Sequence, residues 1–133
     1  MSPGVRRPAP RAKEPPPARG SAAGLELVVV ASRFNGTFVE PLIEGALTAL
    51  EDMRLERERV RVVRVPGAFE LPLVVREVAR RWRPDGVIAL GAVIRGETPH
   101  FDFVAGETAR GLMQASLEMG IPMTFGEIGR AHV

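Results

Sequence analysis

The 133-residue chain contains no cysteine. Disulfides, thiolate metal sites and a cysteine nucleophile are therefore excluded. It has no apolar run near the roughly 20 residues that a membrane span needs. The positive charge near the N-terminus is not followed by the apolar stretch of a secretory signal, so the chain reads as cytoplasmic. Lysine is almost missing, at one of 18 cationic residues, a bias with no functional reading. Histidine occurs only at His100 and His132. What remains is ordinary for one globular domain with a real core: 45% hydrophobic and 26% charged residues.

A sequence pI near 10.3 suggests a nucleic-acid binder, but the charge distribution argues against one. Residues 1–23 hold Arg6, Arg7, Arg11, Lys13 and Arg19 against Glu14, leaving the other residues net acidic within a whole-chain charge of +2. The basic excess belongs to a tail and not to a folded face. That tail also carries half of the twelve prolines, including Pro15-Pro16-Pro17. It cannot bury enough apolar surface to offset its ordering entropy, and residues 1–23 are expected to be disordered. A passive extension is one reading; an electrostatic arm is the other.

From Leu25 the chain alternates between two periods. Leu25–Ser32 is a β-branched run, as in a strand buried on both faces. Arg33-Phe34-Asn35-Gly36 breaks it, and from Phe38 apolar residues recur at helical spacing through Leu50, with Pro41 expected in the first turn. Val60–Val65 is a second strand, stopped by Pro66-Gly67, and Leu71, Val74, Val75, Val78 and Trp82 form the apolar face of a second helix. Val87–Ile94 is a third buried strand, and residues 102–119 form a third helix with Gly120 as its stop. A fourth strand is expected over Ile121–Gly126. The order β-α-β-α-β-α-β with short connections specifies an α/β fold with a parallel sheet and helices on both faces. Such sheets bind ligands beyond the carboxyl ends of their strands, which gathers Ser32–Gly36, Pro66–Glu70, Arg95–His100 and Phe125 on one edge.

Each turn has a bland and a chemical reading. Phe34 plugs the sheet end or stacks on a heteroaromatic ring. Glu70 compensates a helix dipole or binds hydroxyls. Gly96-Glu97-Thr98 before a helix offers backbone N–H groups and a hydroxyl to a phosphate, although no Gly-Lys-Ser/Thr makes it a Walker loop. His100 is structural or moves protons near neutral pH. His100 and Asp102 alone make a poor metal site. No Ser-His-Asp arrangement or carboxylate pair is evident.

Together, Ala31-Ser32-Arg33-Phe34-Asn35, Val65-Pro66-Gly67-Ala68-Phe69-Glu70-Leu71-Pro72 and Gly91-Ala92-Val93-Ile94-Arg95-Gly96-Glu97-Thr98-Pro99-His100-Phe101-Asp102 resemble lumazine synthases. The resemblance runs from about Leu25 to Gly126. It implies a three-layer α/β/α, flavodoxin-like doubly wound fold with a four-stranded parallel sheet in order 2-1-3-4, over residues 24–126. It implies a transferase of riboflavin biosynthesis, condensing 5-amino-6-(D-ribitylamino)uracil with 3,4-dihydroxy-2-butanone 4-phosphate to 6,7-dimethyl-8-ribityllumazine. No metal or organic cofactor is implied. Position by position, Phe34 matches the ring that stacks on the uracil. Ala68, Phe69 and Glu70 match the segment binding that substrate and its ribityl chain, and Ala92, Val93 and Ile94 the backbone that also holds it. Glu97 and Thr98 match contacts to the phosphate substrate, His100 the proton-transfer residue, and Phe125 an aromatic contributed across a subunit boundary. Arg95 is assigned structural support. The implied partners are those two small molecules and further copies of the chain, as pentamers or sixty-subunit capsids, with no membrane and no nucleic acid.

The resemblance also implies two terminal helices and a phosphate-binding arginine after the fourth strand. Here Glu127–Val133 follows no strand or helix pattern and corresponds, in one reading frame, to a common sequencing adapter. Residues 127–133 are therefore expected to be a non-native read-through tail on a C-terminally truncated chain, with neither Arg130 nor His132 in a functional role. A sheet face left uncovered and a phosphate site short of one charge are expected to give poor assembly and little activity. Two alternatives stay open: a non-catalytic flavin- or nucleotide-binding module on the same fold, and a shell-forming protein.

Overall fold

The computed structural model describes residues 20–93 and 100–128. The expected tail lies outside the described residues up to position 19, as do residues 129–133. Packing begins within the last residues of that expected tail. Ala22 is buried, and its N–H donates to the Met53 carbonyl at 2.6 Å.

Four strands and three helices alternate: β1 (Leu27–Ser32), α1 (Gly36–Asp52), β2 (Arg61–Val65), α2 (Leu71–Trp82), β3 (Gly86–Ala92), α3 (His100–Met119) and β4 (Met123–Ile128). The strands form one sheet in the order β2-β1-β3-β4, with every pairing parallel. β1 lies at its centre, between β2 and β3, and this explains its unbroken apolar run. Val28 and Val30 point into a cluster with Leu71, Val75 and Val78 of α2 and Leu112 of α3. Val29 and Ala31 point the other way, onto Val39, Ile43 and Leu47 of α1. Each such buried Val, Leu or Ile side chain contributes about 1.5–3 kcal/mol. Both faces of the sheet are covered, as a parallel sheet requires.

The helix ends follow their local chemistry. Arg83 takes a left-handed conformation (φ 49°) at the end of α2, and Gly120 (φ 66°) stops α3. Pro72 lies in the first turn of α2. Pro41 does not lie in the first turn of α1, because that helix begins at Gly36. Pro41 is its sixth residue, where proline withdraws the N–H that bonds to the Thr37 carbonyl. The helix tolerates this because Val39 and Ile43 on either side are buried. β4 also runs two residues past Gly126: Glu127 pairs with Gly91 and Ile128 with Ala92. The long β3 run provides partners there for backbone groups irrespective of side-chain pattern.

α2 and α3 meet closely at one point. A Cβ on Gly111 would lie 2.8 Å from the Cβ of Pro72. The glycine therefore sets how near the two helices can pack. Among the described residues no helix is long and apolar enough to cross a membrane.

Candidate active site

The carboxyl ends of β1 and β2 are strapped together by backbone hydrogen bonds, and a side chain ties in the end of β3. Arg33 N–H donates to the Val65 carbonyl at 2.7 Å and Phe34 N–H to the Pro66 carbonyl at 2.9 Å. Asn35 then turns the chain into α1 in the left-handed region (φ 59°), which asparagine tolerates better than most residues. Its Nδ2 donates to the Ala92 carbonyl at 3.2 Å, tying the first turn to the end of β3. From the opposite side, the buried Thr108 hydroxyl of α3 donates to the Ala68 carbonyl at 3.2 Å. Two turns, the end of β3 and one helix are thereby fixed to each other through hydrogen bonds to main-chain carbonyls. Ser32, beneath them, is fully buried, and its hydroxyl has no hydrogen-bond partner among the described residues.

Between these turns lies a cavity of about 610 Å³. The first turn lines it with Phe34 and Asn35, the second with Gly67, Ala68 and Phe69, the end of β3 with Ala92 and Val93, and α3 with Phe103 and Val104. This size falls in the usual range of small-molecule sites. Three of its lining residues are phenylalanines left largely in solvent: Phe34 is 68% exposed, Phe69 56% and Phe103 59%. Phe34 therefore does not plug the sheet end. Apolar rings grouped around one concavity are unfavourable in water and mark a place where something apolar and flat is to be covered.

Five of the residues singled out in the sequence meet here: Phe34, Ala68, Phe69, Ala92 and Val93. Glu70 stands at the start of α2 and is half-buried, but does not line the cavity. Its Oε1 lies 3.4 Å from where a Cβ on Gly67 would stand, so the side chain folds back over that glycine. His100 is the first residue of α3, one turn before Phe103 and Val104, and its side chain lies outside the described residues. Ile94, Arg95, Glu97 and Thr98 lie outside them as well. Phe125 is on β4, packed against the core cluster shared with α2 and α3, and does not line this cavity.

Sequence reasoning did not assign Asn35, Gly67, Phe103 and Val104 to the site. Phe103 left a usable signal. It sits beside the apolar stripe of α3, which runs through Val104, Thr108, Leu112 and Ala115, and it does so at the ligand edge. Among the described residues no group of three or more His, Asp or Glu is placed to hold a metal ion. Among the described residues, Glu127 at the end of β4 has a displaced pKa, burial pushing the carboxyl up. Its strand partner is Gly91, which leaves no cationic neighbour in register.

Comparison with known proteins gives the same direction as the geometry. The family model described as 6,7-dimethyl-8-ribityllumazine synthase matches residues 24–132, reaching beyond Gly126. A 6,7-dimethyl-8-ribityllumazine synthase of Nitratidesulfovibrio vulgaris is 53% identical over 105 residues, which are 79% of this chain and 67% of that protein. One of Desulfovibrio desulfuricans is 51% identical over the same shares. With both flat-ring turns, the strand-end cavity and the matching chain in agreement, the chain belongs to the 6,7-dimethyl-8-ribityllumazine synthase family.

Proposed function

We infer that this chain is a transferase of riboflavin biosynthesis that condenses 5-amino-6-(D-ribitylamino)uracil with 3,4-dihydroxy-2-butanone 4-phosphate to 6,7-dimethyl-8-ribityllumazine. The observation that carries the reading is the cavity at the carboxyl edge of the sheet, walled by Phe34, Phe69 and Phe103 and lined by Ala92 and Val93 at the end of β3. A flat pyrimidine fits such a wall, and its polar edge needs backbone groups of the kind that strand ends provide.

The chemistry asks little of the protein beyond position and protons. The 5-amino group of the uracil attacks the ketone, and water leaves as the imine forms. Phosphate is then eliminated to leave an enol that tautomerises to a ketone, and the ribitylamino nitrogen attacks that ketone, closing the second ring with loss of a second water. Holding two partners in one cavity removes much of the entropic barrier. His100, at the start of the helix that flanks the cavity, is proposed to carry protons between these steps. Phe34 is proposed to stack on the uracil, Ala68 to Glu70 and Ala92 to Ile94 to hold it, and Glu97-Thr98 to hold the phosphate substrate. Phe125 is proposed to serve the site of a neighbouring copy, since in its own chain it stands apart from the cavity.

Assembly into pentamers, or into sixty-subunit capsids, belongs to the same proposal. Leu73 of α2 and Met113 and Leu117 of α3 are largely exposed, surface that a neighbouring copy would cover. A cytoplasmic location is likewise proposed. The test is incubation of the purified chain with both substrates. The proposal expects 6,7-dimethyl-8-ribityllumazine and inorganic phosphate in equal amounts, faster than in the protein-free control. A rate equal to that control, with no binding of the uracil substrate, overturns it.

A further inference from the structure

Phe103 walls the cavity without a role in the reading above, and its placement is unusual for an aromatic on a helix. It projects from the first turn of α3, is 59% exposed, and packs no core. Its ring lies against Phe69, with centroids 6.3 Å apart and planes at 23°. That is an offset stack within the range in which aromatic pairs attract. Phe69 itself is held from below: the Ala68 carbonyl just before it accepts the hydrogen bond from Thr108, two turns along α3 from the helix start. One helix therefore fixes both the backbone of the Phe69 turn and the ring that Phe69 leans on.

We propose that Phe103 is a specificity-determining residue, completing with Phe69 an aromatic wall that selects a flat heteroaromatic ring lying between it and Phe34. The inference rests on the function proposed above and adds a contact to it. Without Phe103, the Phe69 ring loses its support and that side of the cavity opens to solvent. A planar ring then stacks on one face only. The phosphate-bearing partner, which has no ring, gains nothing from this wall. The effect is therefore confined to the ring-bearing ligand. Tyrosine preserves the flat surface, whereas leucine keeps the apolar character and loses the plane.

The experiment measures the dissociation constants of 6,7-dimethyl-8-ribityllumazine and of inorganic phosphate for the full chain, for Phe103→Leu and for Phe103→Tyr, with thermal unfolding of each as a folding control. Loss of stacking on one ring face predicts about a tenfold weaker lumazine complex in Phe103→Leu. Phe103→Tyr should bind the lumazine within about twofold of the parent, and phosphate binding should be equal in all three. Lumazine binding by Phe103→Leu equal to that of the parent overturns the inference, as does equal weakening in both variants. A parent chain that binds phosphate but no lumazine instead overturns the proposed function itself.

Discussion

Asn35 shows how much of the site depends on single side chains. It holds a left-handed backbone conformation and also bonds the end of β3 through Nδ2. Alanine is poorly suited to that φ and has no amide, so Asn35→Ala should lose about 2 kcal/mol of stability. Asn35→Gly keeps the backbone freedom and loses only the side-chain bond, at about 1 kcal/mol. Urea denaturation midpoints should rank parent above Asn35→Gly above Asn35→Ala; an alanine variant as stable as the parent contradicts this. At the same scale, Phe34, Ala68 and Phe69 were legible in the sequence because glycine, proline and asparagine beside them mark turns at strand ends, whereas Ala92 and Val93 were reached only through the family resemblance. Asn35 and Phe103 were not. The asparagine's reach to Ala92 is a contact across 57 positions, which no local pattern encodes. Phe103 lies within a helical pattern whose core stripe drew the reading elsewhere.

At the scale of elements, the contact of α2 with α3 turns on Gly111 and Pro72. A methyl at position 111 would stand 2.8 Å from the proline Cβ, and both atoms belong to stiff groups. Gly111→Ala should therefore push the helices apart and cost about 1–3 kcal/mol despite the better helix propensity of alanine. Thermal unfolding tests this, and a raised midpoint contradicts it. The last strand carries a second expectation. Burial lifts the Glu127 carboxyl above its usual pKa of 4.5, so the folded chain holds this proton more tightly than the unfolded one. The stability this gives is present in full below pH 4.5 and is lost as pH rises through the folded value. Glu127→Gln should then unfold at a higher temperature than the parent at pH 7, with the gap closing below pH 4.5. A gap that is constant across pH, or of opposite sign, contradicts it.

Element types were legible throughout, since the switch between continuous β-branched runs and helical spacing is strong in this chain. Boundaries were less so. α1 begins at Gly36, before its first apolar residue, because the turn at Asn35 and not the stripe starts the helix. β4 extends through Glu127 and Ile128 because β3 offers pairing partners there, a tertiary reason that side-chain pattern does not carry.

For the whole molecule, the doubly covered parallel sheet explains why the candidate site sits where it does. Both faces are occupied by helices, so the strand ends are where backbone groups and turns remain free to meet a ligand. The covering of both faces follows from the alternation of elements, whereas the order β2-β1-β3-β4 is what the family resemblance implies. The cavity itself does not follow from that alternation, since its walls come from four separate segments spread between Phe34 and Val104. The net basic charge does not mark a binding face here: the excess that dominates the pI lies in residues 1–23 and the remainder of the chain is net acidic. A site that attracts its ring-bearing substrate through aromatic walls and not through field should bind it with little dependence on salt.

The cavity walled by Phe34, Phe69 and Phe103 is proposed to receive the pyrimidine ring. The most direct measurement is a crystal structure of the full chain with 5-amino-6-(D-ribitylamino)uracil bound. The account predicts the ring inside this cavity, within stacking distance of Phe34 and with its polar edge on the main chain of Ala92 and Val93. A ring bound elsewhere, or a cavity that stays empty while the ligand occupies another face, would contradict it.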